Sequence, residues 1–364
     1  MLKPISQPFC CGALNACLNM QMHLMRWLCD RTVTAVDIAQ INLVPPRMPT
    51  QIEADWLWNF LSGRKQTRLK QARILADIPV NEKSALLNWC NSVAAIAAQF
   101  QPMPTAWPVT SPAISKPAWI AFKDLMEAFY KRGLNSGLPY QSDGTPSATD
   151  GVNYVSFVKA FRDAHRQNPN LEAREVCVLC GGPLGQTPEV DHWIAKSAYP
   201  LLSVCADNVL ATCGECNSSS NKAEKPVYGV DGFADWFHPF FRPANAALGL
   251  EYMLDRKVKC TPIQPDDQRK VENLDMLLNL SDRWTCEFKA EYAKQQDMLR
   301  RHNKIRVQTG QARYTQAEIQ ARIEQWKNED LQPSEPHYNV HSLLSVAMLE
   351  KARLAAWETE LGLV

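Results

Sequence analysis

A chain of 364 residues with 46% hydrophobic, 21% charged and 9% aromatic side chains has enough apolar material for two or three structural units, which excludes a disordered, collagen-like or coiled-coil protein. Lys and Arg number 39 against 38 Asp and Glu, a net charge of +1, so no overall field draws the molecule to a polyanion and any such partner is met by a local patch. Twelve cysteines are many, yet two pairs stand in CxxC spacing, which favours metal binding in a reducing cytosol over a disulfide framework. Cytoplasm is therefore expected. The most leader-like stretch, Pro8 to Leu28, is interrupted by Asn15, Asn19, Gln21 and Arg26, too polar for a leader or a membrane span, and no membrane partner is expected.

Apolar residues recur at helical intervals over Cys11–Asp30, Glu53–Ala76 and Lys83–Phe100, predicting a helical N-terminal domain over residues 1–100. Pro102, Pro104, Pro108, Pro112 and Pro117 then forbid helix and sheet interior alike, and 101–118 reads as an extended connector. Ile120–Leu134 carries Phe122, Leu125, Met126, Phe129 and Tyr130 on one stripe, and Asn153–Gln167 repeats the arrangement, giving a helical lead-in over 119–175. A cysteine-rich unit occupies 176–226. The stretch Tyr228–Arg242, with Trp236, Phe237, Phe240 and Phe241, reads as aromatic core. Helical periodicity returns at Val271–Leu280, Trp284–Arg306, Thr315–Asn328 and Tyr338–Leu361, with Thr315 and Glu318 spaced as a capping box, so 227–364 is predicted to be helical.

Chemistry concentrates between Cys177 and Lys225. Cys177-Val178-Leu179-Cys180 and Cys213-Gly214-Glu215-Cys216 are separated by 32 residues, and two such knuckles can present four thiolates to one structural Zn²⁺. Between them Val190-Asp191-His192-Trp193-Ile194 suits a strand and Asn208-Val209-Leu210-Ala211 the returning strand, with a helix opening near Asn217. The remaining cysteines, 10, 11, 17, 29, 90, 205, 260 and 286, lack partner spacing and read as buried thiols.

The Asp191-His192, Asn208 and Cys213-to-Asn217 pattern resembles the HNH nuclease family of the ββα-metal superfamily, over about 50 residues of the chain. The resemblance implies a fold that is mostly α with an embedded small ββα-metal nuclease unit carrying a four-cysteine zinc site. It makes His192 the general base, Asn208 the residue that orients the imidazole, and Asp191 and Asn217 ligands of a catalytic metal. Neutral imidazole can take a proton from water, and a hard cation on carboxylate and amide oxygens can stabilise the leaving oxygen. Asn217 stands where the family's name has His, and an amide oxygen argues for Mg²⁺ or Mn²⁺ there rather than a second zinc.

Lys222, Lys225, His238 and Arg242 are candidate phosphate contacts. The basic runs Arg64, Lys65, Arg68, Lys70, Arg73 and Arg300, Arg301, His302, Lys304, Arg306 read either as phosphate contacts or as solvated faces. The expected function is a metal-dependent, nickase-like DNA endonuclease that holds the phosphate backbone with low sequence specificity. Long helical flanks resemble anti-phage defence nucleases such as the HNH component of a Zorya-type system, implying partner proteins of that system. Two alternatives stay open: an inactive zinc-ribbon module that binds nucleic acid or protein, and an HNH nuclease acting on RNA.

Overall fold

Helix α1 (Cys11–Leu28) buries the greater part of its circumference, Leu14, Cys17, Leu24 and Leu28 included, and leaves Asn15, Asn19 and Arg26 together on one exposed stripe. The computed structural model describes residues 3, 5–63, 65–104, 106–186 and 188–360, and helix outweighs strand in it, 54% against 8%. The periodic stretch from Glu53 to Ala76 is two helices, α2 (Gln51–Ser62) and α3 (Thr67–Ala76). Gly63 follows the first, and Gln66 enters the second with φ +50°, a left-handed conformation that no helix interior accepts. Helix α4 (Val80–Ala94) follows, then α5 (Lys116–Ala128), which has Pro117 in its first turn and runs on into a π-helical turn over Phe129–Leu134. The side chain of Asn153 accepts from the backbone N–H of Ser156 at 2.9 Å and caps α6 (Tyr154–Arg166).

Strand β1 (Glu189–His192) pairs antiparallel with β2 (Val209–Thr212), setting Asp191 opposite Leu210 and His192 opposite Val209. The hairpin read from the sequence is therefore present, but the helix expected to open near Asn217 is not. Residues 214–224 are turns and bends. Ser218 Oγ donates to the Glu215 carbonyl at 2.7 Å, and Asn221 Nδ2 donates to the same carbonyl at 2.7 Å. Such short polar side chains compete with the i→i+4 ladder. A second correction falls in 227–364, where β3 (Leu248–Met253) and β4 (Lys257–Pro262) form an antiparallel hairpin in a region expected to be helical. In Lys257-Val258-Lys259-Cys260 exposed lysines alternate with buried residues, a period of two.

Beyond the hairpin come α7 (Gln268–Leu278), α8 (Leu280–Gln308), α9 (Gln316–Gln325), α10 (Tyr338–Met348) and α11 (Lys351–Glu360). Thr315 and Glu318 make the expected capping box at α9. The periodicity from Tyr338 is broken into two helices, and Leu361 lies outside the described residues. Cys286 is exposed rather than buried, because α8 buries Trp284, Phe288 and Tyr292 at four-residue spacing and Cys286 falls two positions off that stripe.

Contacts divide the described chain into two compact units. One holds 5–167 with 188–242, the other Lys3 with 168–186 and 243–360. This division cuts across the linear blocks read from the sequence. The Pro-rich segment is packed rather than free: Trp89 Nε1 donates to the Val109 carbonyl at 2.7 Å, and the Tyr199 hydroxyl to the Pro108 carbonyl at 2.8 Å.

Candidate functional site

The sulfurs of Cys177, Cys180, Cys213 and Cys216 all lie within 4.8 Å of one another. A tetrahedral ZnS₄ centre with Zn–S near ~2.3 Å has sulfur–sulfur edges of about 3.8 Å, so the four thiols fit one zinc ion. Three of them are buried and Cys213 is half-buried. The first knuckle is closed by backbone bonds, Gly181 N–H to the Cys177 carbonyl at 2.7 Å and Cys177 N–H to the Gly182 carbonyl at 2.8 Å. Gly182 N–H points at Cys180 Sγ at 3.4 Å, an interaction that favours the thiolate a metal needs. Gly181 sits at φ +72°, which only glycine adopts cheaply. Four thiolates leave no open position, so a zinc ion held by them would be structural rather than catalytic.

Asp191 and His192 occupy adjacent positions on β1 and point to opposite faces. His192 is buried. Its Nε2 lies 2.8 Å from the Ser203 carbonyl oxygen, which can only accept, so Nε2 carries the proton and Nδ1 the lone pair. Nδ1 is not among the enclosed side-chain atoms without a partner. The Tyr130 ring meets the imidazole edge-to-face with centroids 4.6 Å apart. Burial, with Lys196 adding to it, pushes the imidazole down to about 3, so the ring is neutral across the physiological range.

Asn208 makes no hydrogen bond to the imidazole among the described residues. Its Oδ1 accepts from Ile194 N–H at 2.6 Å, and its Nδ2 donates to the Ile194 and Leu202 carbonyls at 2.9 and 3.1 Å. It ties together the two ends of the excursion between β1 and β2, and through that loop it fixes Ser203, whose carbonyl holds the ring. Asn208 thus braces the loop that carries Ser203.

The Asp191 carboxylate is engaged on both oxygens. Oδ1 accepts from the backbone N–H of His192 at 2.7 Å, and Oδ2 lies 2.9 Å from Lys222 Nζ. Lys222 is fully buried, and its ammonium also donates to the carbonyls of His192 at 2.5 Å and Ala223 at 3.2 Å. Burial pushes the Asp191 carboxyl up and the Lys222 ammonium down, while their mutual attraction opposes both shifts. The sequence makes Lys222 a phosphate contact. Enclosed as it is, it serves instead as the counter-charge of Asp191. Asn217 Nδ2 donates to Glu189 Oε2 at 2.7 Å, and Glu189 shares the Asp191 face of β1, so the strand offers a second carboxylate that motif spacing did not single out.

Of the other candidate phosphate contacts, Lys225 donates to the Ser220 carbonyl at 2.9 Å and remains part-exposed. His238 is fully buried among Phe100, Phe240 and Phe241, so it belongs to the aromatic core. The Arg242 guanidinium donates to the Phe233 and Trp236 carbonyls at 2.8 and 3.3 Å and lies over the Phe100 ring, which makes it a brace. Sequence reasoning missed Ser203, Tyr130 and Lys196. Lys196 Nζ stands 5.5 Å from the Tyr130 ring centroid, beside the His192 face, and its only signal was its position four residues after His192.

No family model matches the chain, and no solved structure matches it. A curated relative, protein ea31 of Escherichia phage lambda, is 30% identical over 129 residues, covering 32% of this chain and 42% of the relative. The chain thus spans less than half the length of the curated relative it matches. Among the described residues no helix is long and apolar enough to cross a membrane.

Proposed function

We propose that the unit built on β1 and β2 hydrolyses phosphodiester bonds of DNA in the manner of an HNH endonuclease. The observation that carries this reading is the His192 ring: Nε2–H is engaged by the Ser203 carbonyl, which leaves the Nδ1 lone pair to take a proton from water as the water oxygen attacks phosphorus. The carbonyl then stabilises the imidazolium that forms, as a fixed dipole would. A pKa near 3 makes a weak base, and the negative charge of an approaching phosphodiester raises it toward a useful range. Lys196, half-exposed on the same side, is placed to meet that charge.

The oxygen donors on β1, Asp191 and Glu189, and Asn217 in the turns after β2 are of the hard type that Mg²⁺ or Mn²⁺ takes, and such a cation when bound supplies a Lewis acid for the departing oxygen. Lys222 shares Asp191 with any such ion, so cation and ammonium compete for one carboxylate.

A second reading is favoured by that same ammonium and by the absence of a helix after Asn217: a zinc-bearing module that binds nucleic acid or protein without cutting. No finding ties the chain to anti-phage defence or to partner proteins of such a system. Incubating supercoiled plasmid and a structured RNA side by side with Mg²⁺ separates the readings. Open-circle DNA appearing before linear product, and a loss of about 10²- to 10⁴-fold in His192→Ala, are expected. Equal cleavage by His192→Ala overturns the mechanism, absence of cleavage by the parent chain leaves the binding module, and preference for RNA moves the substrate.

A further inference from the structure

The basic run that opens α3 converges in space with a second basic pair that the sequence did not connect to it. Lys65 and Arg68 face Lys131 and Arg132, from the π-helical turn after α5, across an open cleft of about 480 Å³. Asp124 and Glu127 also line it, but both are engaged. Asp124 accepts from Gln71 Nε2 at 3.1 Å, and Glu127 is ion-paired with Lys131. Lys65 and Arg132 are exposed and have no ion-pair partner among the described residues. Arg68 feels Arg132 as a like charge, and burial together with that repulsion lowers its pKa, so the cleft holds more positive charge than its own acids neutralise. At the same wall α3 begins with no side-chain cap and no acidic residue in its first turn, leaving its free N–H groups toward an anion. Arg64 lies outside the described residues.

The cleft is tied by covalent structure to the base. Tyr130, whose ring packs on His192, immediately precedes Lys131 and Arg132, so the backbone of the cleft's far wall lies within ~8 Å of Tyr130. We propose that this cleft binds the phosphodiester backbone of a nucleic acid and feeds it to His192. The proposal rests on the nuclease reading for the delivery step, but not for the binding itself. A net +1 chain needs a local patch to hold a polyanion, and the cleft is such a patch, lined by four cations against two acids and by no aromatic ring. Binding is therefore through phosphates and independent of sequence.

The test is a salt series of duplex-DNA binding by the full chain, read by fluorescence anisotropy. The parent is compared with Lys65→Gln/Arg132→Gln and with a charge-matched control, Arg301→Gln/Lys304→Gln on α8. Hydrolysis of bis(4-nitrophenyl) phosphate, too small to reach the cleft, is measured on all three. The cleft variant is expected to lower the log–log salt slope by about 2 and to weaken binding about 10-fold at low salt, with the small diester turned over as before and the control unchanged. An unchanged slope, or an equal fall in cleft variant and control, overturns the cleft. A slope that falls only in the cleft variant, in a protein that hydrolyses neither the small diester nor the bound duplex on prolonged incubation with Mg²⁺, upholds the cleft and removes the nuclease reading instead.

Discussion

The two hairpins are built on opposite principles. β3 and β4 expose alternate residues, Glu251, Lys257 and Lys259 among them, and are joined by three residues, of which Asp255 and Arg256 have positive φ. The outer edge of β4 is capped from α8: Thr285 Oγ1 accepts from Val258 N–H at 2.9 Å and Ser281 Oγ from Cys260 N–H at 3.0 Å. These contacts satisfy an edge that would otherwise invite pairing. In β1 and β2 every residue but Glu189 is buried, Asp191 and His192 included, and the flanking Asn208 and Lys222 are buried with them. Enclosing so many polar groups carries a desolvation cost that a purely structural hairpin avoids. The first hairpin is thus the one that encloses charge, and it should answer to metal, acid and substitution more strongly than the second.

The largest effect should come from metal. The purified chain is expected to contain one zinc by elemental analysis, and Cys180→Ser or strong chelation should unfold the region around the first hairpin, since about 10 kcal/mol of binding free energy goes with such an ion. A zinc-free chain with an unchanged melting curve would break the contrast. Next, Lys222→Met leaves Asp191 buried without its counter-charge, and a loss of about 3–5 kcal/mol is expected in denaturant unfolding. Added Mg²⁺ should recover part of that loss if a divalent cation takes the ammonium's place, and no recovery would count against a metal at Asp191.

Acid should act on the aromatic pocket beside the first hairpin. Burial, reinforced by the positive charge of Arg242, lowers His238 to about 3 in the folded state, against ~6.5 unfolded. The unfolded chain therefore binds a proton that the folded chain refuses. Stability is fully present above about pH 6.5 and is lost as pH falls toward 3, by about 1.4 kcal/mol per unit from this one group. Unfolding measured from pH 7 to 4 should show that slope reduced by up to one proton in His238→Gln, whose amide can still accept from Phe240 N–H. An unaltered slope would show that His238 is not kept neutral. The smallest effect belongs to the second hairpin: Thr285→Val removes one cap from β4 and is expected to cost about 1 kcal/mol with no change in zinc content or DNA cleavage.

What the sequence determined by itself is local. Period-3.6 stripes marked most of the helices, Thr315 with Glu318 and Asn153 marked two helix starts, and the two CxxC pairs with Asp191-His192 and Asn208 marked the first hairpin. Each of these signals is complete within a few residues, or repeats a spacing that one geometry explains. Tertiary structure alone decided which polar groups are enclosed. Lys222, His238 and Arg242 look like surface cations in a string of letters, yet their partners, Asp191, the Phe100 and Phe241 rings and the Phe233 carbonyl, come from other turns or more distant segments of the chain. The cleft that joins Lys65 to Arg132 has the same origin. Charge is written in the sequence, but whether water or a neighbouring side chain solvates it is fixed only when distant segments meet.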